Sequence, residues 1–161
     1  MLSRFKRTVC LALLTSLLIL PGCMSRMAQD SAEQTQAEAL IRQFATVMAK
    51  QDAEGLLEIA SVPFWVDDWI ESRETLREEF PDDAQDQNPE LGPMELRIYP
   101  LADLAALRPK VWQSLKDSNP AWIQDMYVAA VAVEIDDRSE SGLFLLRRVN
   151  GKWTLAGLIE E

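Results

Sequence analysis

Toward the carboxy terminus, Tyr127–Ile135 reads Tyr-Val-Ala-Ala-Val-Ala-Val-Glu-Ile, apolar at almost every position and rich in β-branched or small residues. A strand with one wet face alternates polar and apolar side chains, so a run without alternation suits a strand covered on both faces. Two further strands, Gly142–Val149 and Trp153–Ile159, follow it. They are joined by Asn150-Gly151, a pair favoured in tight hairpins because both residues tolerate positive φ. The chain is therefore expected to finish in a long antiparallel meander.

The upstream half is patterned differently. Ser31-x-x-Gln34 can form a capping box, after which Ala37, Leu40, Ile41, Phe44 and Val47 recur at helical spacing to about Lys50. Asp52 is placed to cap a shorter helix carrying Leu56, Leu57 and Ile59, with Pro63 expected to stop it. Phe64–Val66 and Trp69-Ile70 flank Asp67-Asp68 as a short aromatic hairpin, and Ser72 offers a cap to a helix Arg73–Phe80. Pro81–Pro93 reads as an acidic surface loop, and Met94–Tyr99 alternates as a half-buried strand. Between Leu101 and Leu115 the apolar spacing is helical, but Pro109 divides it, so two pieces are expected with Pro109 in the first turn of the second. Helices and a small hairpin followed by a meander make an α+β layout.

The first 22 residues form a separate zone. Arg4, Lys6 and Arg7 give a basic start, and Thr8–Leu20 is an apolar run of about 13 residues, short of the ~20 that span a bilayer. Leu20-Pro21-Gly22-Cys23 resembles the lipobox of bacterial lipoproteins, with Pro21 an unusual occupant of its tolerant position. The resemblance implies removal of residues 1–22 and a lipid on Cys23, with palmitate among the acyl chains such proteins carry. Met24 is not the aspartate that retains such proteins at the inner membrane, so the expected location is the cell envelope at the periplasmic face of the outer membrane. Residues 23–33 read as lipidated cysteine and polar tether, and 34–161 as one domain.

Charge and composition narrow the partners. The chain of 161 residues has a formal net charge of −10, and because its leader holds three bases and no acid, the remainder is more acidic still. Such a surface repels nucleic acid and anionic headgroups alike, so attachment to a membrane is expected through the lipid on Cys23 alone. With Cys10 in the leader, no thiol remains to pair, and the fold must be held by packing.

The element order resembles the NTF2-like (SnoaL-like, cystatin-like) superfamily over roughly residues 33–161. The likeness is carried by the first helix, by Lys50–Leu57, by Pro63-Phe64-Trp65-Val66-Asp67, by Ser72-Arg73-Glu74-Thr75-Leu76 and by Arg148–Trp153. It implies helices packed on a curved antiparallel sheet that forms a cone with an apolar pocket, and makes Leu101–Trp122 an insertion that could close that pocket. Such a fold hosts isomerases, dehydratases and binding-only modules, so it does not decide function. Members often pair through the outer sheet face, which leaves a homodimer open here; Arg147-Arg148 and Glu134 argue neither way.

The chemistry this chain can support is limited by its lack of any histidine. A carboxylate base in an apolar pocket would remain, with Asp67, Asp68, Asp125 and Glu134 as candidates and Tyr99 or Tyr127 as hydrogen-bond donors. Asp67-Asp68 is more simply a turn, and Asp125 and Glu134 strand-end or surface acids. Asp82, Asp83 and Asp86 lack the spacing of a calcium loop, and no phosphate-binding loop or nucleophile elbow occurs, so neither metal nor cofactor is expected. Five tryptophans remain as a clue. Trp153 reads as core, whereas Trp65, Trp69, Trp112 and Trp122, with Tyr99, could line an apolar pocket or a protein-facing patch if the insertion folds over the cone mouth. The preferred expectation is a non-catalytic envelope lipoprotein that binds an apolar small molecule or an envelope protein; the alternative is a cofactor-free lyase or isomerase using Asp67 or Asp125 with Tyr127.

Overall fold

The computed structural model describes residues 31–80, 90–135 and 138–159; Cys23, the leader and the acidic segment 81–89 lie outside the described residues. Helix α1 (Ser31–Lys50) begins at Ser31, so residues 31–33 of the expected tether are helical. Its buried stripe is Ala37, Leu40, Ile41 and Val47, as the spacing requires. Asp52 caps α2 (Ala53–Ile59), its carboxylate accepting the Gly55 N–H at 2.8 Å. Ser72 caps α3 (Arg73–Glu79) by accepting the Thr75 N–H at 3.1 Å. Each cap satisfies an amide that the first helical turn leaves without a partner.

Strands β1 (Ala60–Val66), β2 (Asp68–Ile70), β3 (Leu91–Pro100), β4 (Met126–Ile135), β5 (Arg138–Val149) and β6 (Lys152–Ile159) form one curved, unclosed sheet in the order β2-β1-β6-β5-β4-β3. Pairing is antiparallel except between β1 and β6. Asn150 and Gly151, at φ 52° and 77°, make the β5–β6 turn that the sequence prescribes. The α+β arrangement, with N-terminal helices packed on the sheet, is the one expected.

Three strands start earlier than expected: β1 at Ala60, β3 at Leu91 and β5 at Arg138 rather than Gly142. The helix before Pro63 already ends at Ile59, and Pro63 lies within β1, inside the stretch between Ala60 and Trp65 where the register with β6 shifts. A ladder irregularity is where a residue without an N–H is tolerated in a strand. Likewise β3 starts at Leu91 rather than Met94, with Pro93 between the shifted pairs Leu91–Ile135 and Met94–Val133. β3 is also an edge strand, and α1 covers two of its carbonyls: Gln34 Nε2 donates to Leu96 O at 3.3 Å and Arg42 Nη1 to Gly92 O at 3.2 Å. Such contacts blunt an edge that would otherwise pair with another chain.

The sheet has a core on each face. On one, α1, α2 and α3 bury Ile41, Leu56, Phe64, Leu76, Val131, Leu146 and Leu155. The other holds Trp65, Leu101, Leu104, Leu115, Met126, Val128, Leu145, Ala156 and Ile159. β4 serves both, with Ala129, Val131 and Val133 toward the helices and Met126 and Val128 away from them. Burying a Leu, Val or Phe contributes roughly 1.5–3 kcal/mol. Among the described residues the two cores draw on positions from Ala37 to Ile159.

The start of α1 is fixed to the β5–β6 hairpin. Trp153 Nε1 donates to Glu33 O at 3.2 Å, and the Arg148 guanidinium pairs with the Glu33 carboxylate while lying 4.6 Å above the Trp153 ring. That hydrogen bond raises the Arg148 pKa above its ordinary value. Both charged side chains are about two-fifths exposed, so orientation is the main consequence.

Gly157 sets how closely β1 approaches β6. A Cβ there would meet Trp65 Cβ and O at 2.7 Å and its Cα at 3.0 Å, contacts that include backbone and cannot be relieved by a rotamer change. Gly157→Ala is expected to destabilise the fold by about 1–3 kcal/mol, read as a lower urea midpoint; an unchanged midpoint would show that the strands need not pack this closely.

Candidate functional site

The segment between β3 and β4 folds as a 3₁₀ turn, Leu101–Asp103, followed by α4 (Leu104–Leu107) and α5 (Pro109–Ser118). The break at Pro109 is as expected, but the placement is not. Leu101, Leu104 and Leu115 pack with Val128 and Leu145 on the sheet face opposite α1, so the insertion covers the outer face and does not close a cone. The cause is local: the apolar outer-face residues of β4 and β5 lie directly beside the two ends of the inserted segment.

The tryptophans follow the insertion. Trp65 and Trp69 meet edge to face at 5.1 Å, and Trp69 meets Trp122 in the same manner at 5.4 Å. Trp112 packs against the same core, with Lys116 Nζ 5.5 Å from its ring centroid. Trp69 Nε1 donates to Ser118 Oγ at 2.6 Å, and Ser118 in turn donates to Leu115 O at 2.9 Å. Arg147 donates to Trp122 O at 2.7 Å, and burial lowers the pKa of its guanidinium. These contacts fasten the insertion to the β1–β2 hairpin and to β5. Four of the five aromatic residues singled out from the sequence thus come together, as packing between insertion and sheet; Tyr99 stands apart on β3.

The candidate acids are not brought together. Asp67 is the β1–β2 turn residue at φ 62°, and Asp125 precedes β4 at φ 59°; both are exposed. Asp68 and Glu134 are exposed as well. Tyr127 lies on the helix side, edge to face with Trp153 at 5.2 Å, and two strands, β5 and β6, separate β4 from the hairpin that bears Asp67. Among the described residues no polar or charged side chain is buried, and no group of three or more acids or cysteines could hold a metal ion.

What remains open is a groove of about 380 Å³ on the outer face, beside the insertion, which supplies one of its walls. Its floor is Ala130, Ala132, Ser141 and Gly142, and its walls are Glu95, Arg97 and Tyr99 of β3 opposite Leu107 of α4 and Arg108, which links α4 to α5. Strand register explains it: Arg97 stands beside Ala130, which pairs with Leu143, and Glu95 beside Ala132, which pairs with Ser141. The small side chains of the inner strands leave a trough between taller neighbours. Of these residues only Tyr99 was singled out from the sequence; the alternation Glu95-x-Arg97-x-Tyr99 and the alanines within the β4 run were the legible signals. A second depression of about 120 Å³, between Glu54, Leu57, Arg73, Glu74 and Arg77, is bridged by the Arg77–Glu54 ion pair.

No family model matches the chain, and no curated protein does. Among solved structures it is similar to an NTF-2-like protein of unknown function from Silicibacter pomeroyi DSS-3, at 12% identity and a TM-score of 0.43, covering 80% of this chain and 93% of that one. It is also similar to a de novo designed protein with a curved β-sheet, at 15% identity and a TM-score of 0.34, covering 76% and 95%.

The latch between hairpin and insertion can be measured. Trp69→Phe and Ser118→Ala each remove one partner of the same hydrogen bond, and each is expected to cost about 0.5–1.5 kcal/mol. The double variant should cost less than the sum of the two; full additivity in urea unfolding would mean that the contact contributes nothing.

Proposed function

We propose that this chain is a lipid-anchored envelope protein whose folded domain binds a partner and performs no chemistry. The observation that carries the second part is the interior. The helix-side face, where a cone-shaped fold would hold substrate, is occupied by apolar side chains such as Phe64, Leu76 and Val131. The carboxylates that a cofactor-free lyase or isomerase would need there lie instead in exposed turns. A carboxylate becomes an effective base near neutral pH when desolvation or a neighbouring charge raises its pKa. Exposed turn positions leave these side chains in water, outside any enclosed pocket.

Support for the anchor is in the sequence: the basic start, the short apolar run and Leu20-Pro21-Gly22-Cys23. Among the described residues no helix is long and apolar enough to cross a membrane. A lipid on Cys23 would hold an acidic domain at a surface that its charge disfavours, and more than one acyl chain makes such anchoring durable. In this reading the domain stands on the periplasmic face of the outer membrane.

Metabolic labelling with an alkynyl fatty acid tests the anchor. The full chain is expected to take up label and sediment with membranes, while Cys23→Ser takes up none and is no longer processed ahead of residue 23. Label on the Cys23→Ser chain, or its normal processing, would refute the anchor.

A further inference from the structure

We infer that the outer-face groove is a binding site for an anionic amphiphile: an acyl chain or similar apolar body bearing a carboxylate or phosphate head. This deepens the proposal that the domain binds rather than catalyses, and it is independent of whether Cys23 is lipidated.

Beside the insertion the outer face keeps an apolar surface open. Leu107, at 45% exposure, is one of two large hydrophobic residues left exposed among the described residues, and it forms a wall of this groove. Leu143 and the Tyr99 ring are half-buried beside it, and in the floor Ala130, Ala132 and Gly142 are joined by one small polar side chain, Ser141. The volume, about 380 Å³, lies within the ~300–1,000 Å³ range of small-molecule sites.

The anionic part is charge complementarity. On a chain with a formal net charge of −10, Arg97 stands on one wall of the groove, and among the described lining residues Glu95 is the one acid; Arg108, on the other wall, has an interaction of its own. Arg97 is exposed, and no contact among the described residues holds its guanidinium. A guanidinium at the edge of an apolar trough suits a carboxylate or phosphate, whose oxygens accept two parallel N–H bonds. A protein partner fits less well, because a stable interface buries at least about 1,000 Å² and the insertion already occupies the more apolar half of this face.

The test uses residues 24–161, first verified as folded by a cooperative urea transition, titrated below micelle-forming concentrations with dodecanoate, dodecyl phosphate, dodecanol and dodecyltrimethylammonium. Amide chemical shifts report the position of binding. Saturable shifts at Ala130, Ala132, Gly142 and Leu143 are expected with the two anions, the tighter one identifying the head group. Dodecanol should bind more weakly, and the ammonium weakest. Arg97→Gln should weaken anion binding about three- to fivefold with little effect on dodecanol. Ala132→Phe, at an exposed position, should abolish binding of all four while leaving the urea midpoint within error. Binding of the cation as tight as that of the anions, shifts centred outside the groove, or no saturable shift would overturn the inference. Shifts at these same amides that depend on protein concentration alone would assign the face to a second copy of the chain, and would overturn it equally.

Discussion

The strands at the centre of the sheet carry apolar side chains on both faces, and the rest of the structure answers that constraint. β4 presents Ala129, Val131 and Val133 to one side and Met126 and Val128 to the other; Leu146 and Leu145 of β5 divide in the same way. One layer of helices can satisfy only half of this demand. α1, α2 and α3 cover the first face, and the segment between β3 and β4 returns over the second. The aromatic contacts follow from that return, since Trp65 and Trp69 reach the second face from the far side of the sheet and meet Trp122 there.

Covering is uneven, and the unevenness defines the candidate site. The insertion is short, and it covers Val128 and Leu145 but not Ala130, Ala132 or Ser141 further along the same strands. Where its cover stops, side chains on the strands become small and two arginines border the gap. The helix-side face shows the opposite condition, with every candidate acid displaced to turns or strand surfaces.

Local patterns were legible in the sequence wherever one short segment decides the outcome. The stripe of α1, the caps Asp52 and Ser72, the break at Pro109 and the Asn150-Gly151 turn each depend on residues within a few positions of one another. The uninterrupted β4 run announced two covered faces, but which segment supplies the second cover depends on strand order and register, which no local pattern records. The insertion was therefore expected over a cone mouth and is found on the outer face. Pro63 reads as a helix stop and Pro93 as the end of a loop, whereas both lie inside strands, where the register shifts. The groove was hidden for a similar reason: its walls come from β3 and α4 and its floor from β4 and β5, so only the register assembles them.

The placement of the insertion is the statement on which the rest depends, and methyl nuclear Overhauser contacts test it directly. Leu104 and Leu115 should show contacts to the methyls of Val128 and Leu145, and none to those of Val131 and Val133 on the helix side. Contacts from Leu104 or Leu115 to Val131 or Val133 would place the insertion over the opposite face, and would contradict both the two-sided core and the groove.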